Sequence, residues 1–216
     1  MTEPKFPLCT RVQAQSVMSP EEINAGTDEL YLLVGRCLDA WSMIEWNMAH
    51  LFMSLHDQPD EHSALRQVFN GIASLEVRLA MLNLTIQSDK RLSPLFVIRW
   101  NSLFNKLSKS AKRRNEVAHF TIAVNHMEDI DNPKIRLYPF WSGMTDPGLG
   151  LSAGDLRNRL ASFHALSQRV DRFWWYIQLV RGRRTECHIP ISGPDHLLDN
   201  PFVPLPTEAE SPPVPS

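Results

Sequence analysis

Cysteine is scarce and neither sign of charge dominates, and each shortage narrows what this chain can be. Its three cysteines, Cys9, Cys37 and Cys187, are too few and too scattered for a disulfide framework or a zinc site. A formal net charge of −2 supplies no global basic field, so a polyanionic partner would have to be held by a local cluster of cations. The apolar runs are short and interrupted by charge, which leaves no candidate membrane span. The opening residues have neither the charged start nor the apolar core of a signal peptide. These absences lead us to expect a cytoplasmic protein in a reducing setting, with no membrane partner. With 216 residues, one domain plus a tail is the natural division, and no internal repeat is visible.

What is present is helical periodicity. Residues 1–26 carry Pro4, Pro7 and Pro20 without a sustained period and read as an N-terminal arm. Thr27 or Asp28 can cap a first long helix to about His56, with a stripe through Leu30, Leu33, Cys37, Trp41, Ile44, Met48 and Phe52 that Glu45 interrupts. A turn at Asp57–Asp60 precedes a second helix at about Glu61–Phe69, ended at Asn70-Gly71. Ser74 caps a third through Gln87, with Leu75, Leu79, Leu82 and Ile86 inward, and Ser93-Pro94 opens a fourth. After His119 the period changes. Thr121–Asn125 and Lys134–Phe140 each alternate around Asp131-Asn132-Pro133, which predicts a β-hairpin over about 121–140. A loop from Gly143 to Gly150 follows. Ser152 with Asp155 forms a capping box for a last helix to about Arg181, whose stripe runs from Leu156 to Val180. Half of the chain's 16 prolines lie beyond Arg184, so residues 185–216 read as a disordered or extended tail. The expected fold is all-α: a bundle of about five helices over 27–184 with a small appended hairpin.

One segment carries chemistry. In Lys106–Phe120 the cations Lys106, Lys109, Lys112, Arg113 and Arg114 precede Asn115 and His119 at the end of the fourth helix. Its apolar stripe passes through Trp100, Leu103, Phe104, Leu107 and Ala111, then Arg114 and Ala118, so Arg114 stands where the pattern calls for a core residue. The loose pattern of Arg and His with four to six residues between them also fits Arg159–His164 and Arg183–His188, and Arg157-Asn158 with His164 even supplies the Asn. Only Arg114-Asn115-x-x-x-His119 combines a helix terminus with an upstream basic run.

That motif resembles the signature of the HEPN superfamily of small helical domains, and Ala40-Trp41-Ser42 running into Ile44-Glu45 is similar to bacterial members. The resemblance covers about Thr27–Phe120 and extends to the final helix; the arm, hairpin and tail lie outside it. It implies a homodimer in which two Arg/His pairs face one RNA-cleaving cleft. Many members are metal-independent endoribonucleases of toxin–antitoxin or phage-defence systems, so an antitoxin or other regulatory protein is an implied partner. Others are inactive binding or regulatory modules.

The residue types suit that chemistry. RNA carries its own nucleophile in the ribose 2′-hydroxyl, so neither a metal nor a cofactor is required. An imidazole such as that of His119 transfers protons near neutrality. A guanidinium such as that of Arg114 grips a phosphate by two points, and Asn115 can orient either. Lys109, Lys112 and Arg113 would draw in the backbone through salt-sensitive contacts. Each residue also has a plainer role open to it. His119 can serve the last carbonyls of its helix, Arg114 and Glu45 can form a buried ion pair, and the lysines can be a solvated face. Trp41, Trp46, Trp100, Trp141, Trp174 and Trp175 fit core or dimer contacts better than base-stacking platforms.

Overall fold

Ser19 sets where the fold begins. Its hydroxyl accepts from the Glu22 amide while the Glu22 carboxylate accepts from the Ser19 amide at 2.7 Å, and Pro20 takes the first helical position. Helix α1 therefore spans Pro20–Ser54, starting at Pro20 and not at Thr27 or Asp28; the capping box outcompetes the later polar pair. The computed structural model describes residues 18–56, 64–125, 134–139 and 150–182. The expected turn at 57–60, the hairpin tip at 131–133, most of the 143–150 loop, the arm before Met18 and the tail at 185–216 lie outside them.

Helix α2 (Ala64–Gly71) is short, and α3 (Leu75–Ser88) starts from the Ser74 cap. Helix α4 (Pro94–His119) starts from the Ser93 cap with Pro94 first. Strands β1 (Phe120–Asn125) and β2 (Lys134–Pro139) pair antiparallel, from Phe120↔Pro139 to Asn125↔Lys134. Helix α5 (Ala153–Val180) starts from a Ser152–Asp155 capping box. The described residues are thus mostly helical, five helices with one two-stranded sheet, as the sequence pattern predicts. None of the described helices is long and apolar enough to cross a membrane.

The two longest helices form the spine. Cys37 Sγ donates to the Leu156 carbonyl, Asn47 Nδ2 to the Ser167 carbonyl at 3.2 Å, and Gln178 Nε2 to Ser54 Oγ at 2.6 Å. Numbers rise together on both sides, so α1 and α5 run parallel. Helix α4 runs the other way along α5, with Phe96 stacked on Tyr176 at 5.0 Å and Glu116 paired with Arg159 at 2.5 Å. Between them lies a continuous core that buries Trp41, Phe52, Phe69, Phe96, Trp100 and Phe163. Burial of a large aromatic leaves its polar atom to be satisfied. Trp41 Nε1 donates to Glu45 at 2.7 Å, and Trp100 Nε1 donates to Asn83 at 2.9 Å.

Two stripe ends depart from the expected phase. Val117 is buried and Ala118 exposed, because the inward row of α4 runs Leu103, Leu107, Ser110, Arg114, Val117. Val180 is exposed where α5 ends. The hairpin lies over the first turns of α1, where Gly26 leaves room for Ile135: a β-carbon there would stand 2.6 Å from Ile135 Cδ1.

Candidate functional site

The inward row of α4 draws the Arg114 side chain toward the core, where it is half-buried. Its Nη1 donates to Asn115 Oδ1 at 3.2 Å, while its Nε is buried without a hydrogen-bond partner among the described residues. A buried N–H left unsatisfied costs roughly 1–3 kcal/mol, so a chain that keeps one has an unfilled donor at that place. Arg114 and Asn115 face a cleft of about 660 Å³ between α1, α3 and α4, shared with Glu45, Ser74, Arg78 and Lys112.

Glu45 lines that cleft, but it is not ion-paired with Arg114, the plainer role open to both. Arg78 reaches Glu45 Oε2 with Nη2 at 2.9 Å, and the Trp41 indole takes Oε1. Arg78 occupies Glu45 because it stands on α3 directly across from α1. Its own Nε is also buried without a hydrogen bond among the described residues. Two guanidinium groups thus line one cleft, whose walls carry the cations Arg78, Lys112 and Arg114 against the carboxylates Glu45 and Glu76. That excess of positive charge suits an anion. Arg78 was not singled out from sequence. The available signal was its place between Leu75 and Leu82 on the inward face of α3, the same anomaly that marks Arg114 on α4.

The other sequence-predicted residues separate. His119 ends α4, is exposed and does not line the Arg114 cleft. Lys109 and Arg113 are exposed outside the cleft, and Lys112 is exposed at its wall. The Arg113 carbonyl accepts from Arg159 Nη1 at 2.8 Å, which ties the end of α4 to α5. Lys106 lines a different cleft with Arg99 and Arg169. Among the competing matches, Arg157 is ion-paired with Glu29, and Asn158 and His164 are exposed on α5. Arg183 and His188 lie outside the described residues. No group of three or more His, Cys, Asp or Glu that could hold a metal comes together among the described residues.

No protein-family model, curated protein or solved structure matches the chain.

Proposed function

We propose that this protein is a metal-independent endoribonuclease of the HEPN type, acting as a homodimer. The observation that carries the proposal is Arg114, half-buried at the end of α4 with an unfilled Nε donor, beside Asn115 and close along the helix to the exposed His119. In this scheme the guanidinium holds the scissile phosphate and stabilises charge growing on its oxygens. The ribose 2′-oxygen attacks phosphorus, losing its proton to a base, and the P–O5′ bond breaks as the leaving oxygen gains a proton. The products are a 2′,3′-cyclic phosphate and a 5′-hydroxyl end. His119 moves one of those protons, Asn115 orients the phosphate or the imidazole, and Lys109, Lys112 and Arg113 attract the backbone. A toxin or phage-defence effector, restrained by an antitoxin or other regulatory protein in a cytoplasmic setting, is the role such an activity suits.

One observation favours a second function. His119 stands outside the Arg114 cleft within one protomer, which suits a catalytically silent module that binds RNA, a nucleotide or a partner protein through the same cations. Incubating the purified protein with mixed RNA in EDTA separates the two. The ribonuclease yields cyclic-phosphate ends, and His119→Ala abolishes them without changing the melting temperature. Cleavage that persists in His119→Ala, or that stops with EDTA, overturns the mechanism.

A further inference from the structure

Beyond the Glu45–Arg78 pair lies a second pocket, of about 290 Å³, lined by Trp46, Ala49, His50, Arg66 and Asn70. Glu45 and Arg78 line this pocket as well as the Arg114 cleft, so the two adjoin across that ion pair. Trp46 is 46% exposed and so is not the core contact expected of it, and its ring lies against His50 with centroids 3.9 Å apart. Trp174 meets the other end of the arrangement, its ring 5.8 Å from His50. An indole with an imidazole inclined at 44° against it, and Arg66 alongside, presents an aromatic surface with a cation nearby. The Asn70 amide, exposed on α2, has both donors and an acceptor to offer.

We propose that this pocket is a nucleobase subsite: the base adjoining the phosphate in the Arg114 cleft stacks on Trp46, and Arg66 and Asn70 meet its edge. The proposal rests on the assignment of the Arg114 cleft to phosphate. The sequence of surfaces is what selects the occupant. An anion site followed directly by an aromatic plane matches the alternation of phosphate and base along a single strand, and a duplex, whose bases are stacked on one another, cannot present it. Stacking on an aromatic side chain tolerates any base, so discrimination among bases falls to Asn70 and Arg66.

The test uses a fluorescent single-stranded oligodeoxynucleotide, which lacks the 2′-hydroxyl and cannot be cleaved by the proposed route, beside a twin with the same backbone and no bases. Wild-type protein should bind the base-bearing strand more tightly than its abasic twin. Trp46→Ala should lose roughly 5- to 150-fold in affinity for the first and nothing for the second, while Trp46→Phe retains most of the affinity. Arg114→Ala should weaken both strands alike. A melting curve of each variant separates misfolding from loss of the subsite, and Asn70→Ala, at an exposed position, gives a variant that leaves the core untouched. The proposal is overturned if wild type does not distinguish the two strands, if Trp46→Ala binds both as wild type does, or if it changes oligomeric state and loses both equally. Because the probe is uncleavable, base-dependent binding without any RNA cleavage would remove the ribonuclease and leave the subsite standing.

Discussion

Arg78 Nη2 lies 2.9 Å from Glu45 Oε2 and pins α3 to α1 at the boundary of the Arg114 cleft. The pair is only partly shielded, with side chains 11% and 26% exposed, and Trp41 fixes the second carboxylate oxygen. Removing one partner leaves a charge without its counter-ion in a place that is costly to hydrate. Arg78→Ala should therefore lower unfolding free energy by about 2 kcal/mol, below the range for a fully buried pair. Urea denaturation of Arg78→Ala, Glu45→Gln and the double variant measures the coupling. A coupling energy near zero would show that the contact holds nothing together.

Arg114 should behave in the opposite sense. With its Nε unsatisfied and its one described hydrogen bond going to a neighbouring, exposed Asn115, it contributes little to the fold. Replacing it with Met keeps the stem and removes the stranded donor, so Arg114→Met should leave stability unchanged or raise it by up to about 1 kcal/mol. A loss as large as that of Arg78→Ala would mean that Arg114 has a structural partner.

Acid exposes a third dependence. Asp89 follows α3, and its carboxylate accepts from Arg91 Nε at 2.8 Å and from Arg181 Nη2 at 2.9 Å, the second tying the end of α5 to the turn before α4. Hydrogen bonding from Arg91 leads the effects that lower its pKa from 3.8 to about 2, against the opposing pull of burial. A depressed folded-state pKa stabilises the fold above the unfolded value of 3.8, and that stabilisation is lost as pH falls through about 2. The amount at neutral pH is about 2 kcal/mol. Asp89→Asn should lose that much at pH 7 and show a flatter fall between pH 4 and 2, as followed by chemical denaturation across pH. An unchanged slope would assign the acid sensitivity elsewhere.

Local chemistry made much of this fold legible in the sequence. Ser74, Ser93-Pro94 and Ser152 with Asp155 announce helix starts by satisfying amides within three residues, and the structure uses all of them. The start of α1 departs from the Thr27 or Asp28 expectation because Ser19-Pro20 with Glu22, earlier in the chain, carries the stronger capping signal. Arg114 was visible as a charge on an apolar row. Its relation to Glu45 was not, since the choice between Arg78 and Arg114 is made by how α3 and α4 pack on α1, residues 33 apart for the pair that forms. The same holds for Trp46, whose exposure depends on what α2 and α5 leave uncovered.

His119 poses the sharpest question for the proposed ribonuclease, because it does not share the Arg114 cleft within one protomer. If two protomers meet about a two-fold axis near the ends of α4, Arg114 of one can work with His119 of the other. A mixture of Arg114→Ala and His119→Ala proteins then distinguishes the arrangements. In a mixed dimer one Arg/His combination carries both substitutions and the other carries neither. Random assortment should restore about a quarter of wild-type cleavage from two preparations that are each inactive alone. Arg114→Lys should not substitute for wild type in the mixture, since a point charge lacks the planar fork that grips a phosphate twice. His164→Ala should cleave normally, as that residue stands on α5, outside both the α4 motif and the Arg114 cleft. Light scattering at roughly tens of micromolar must show the dimer. A monomer under those conditions, with or without RNA, or mixed dimers that form and stay inactive, would rule out a site shared between protomers.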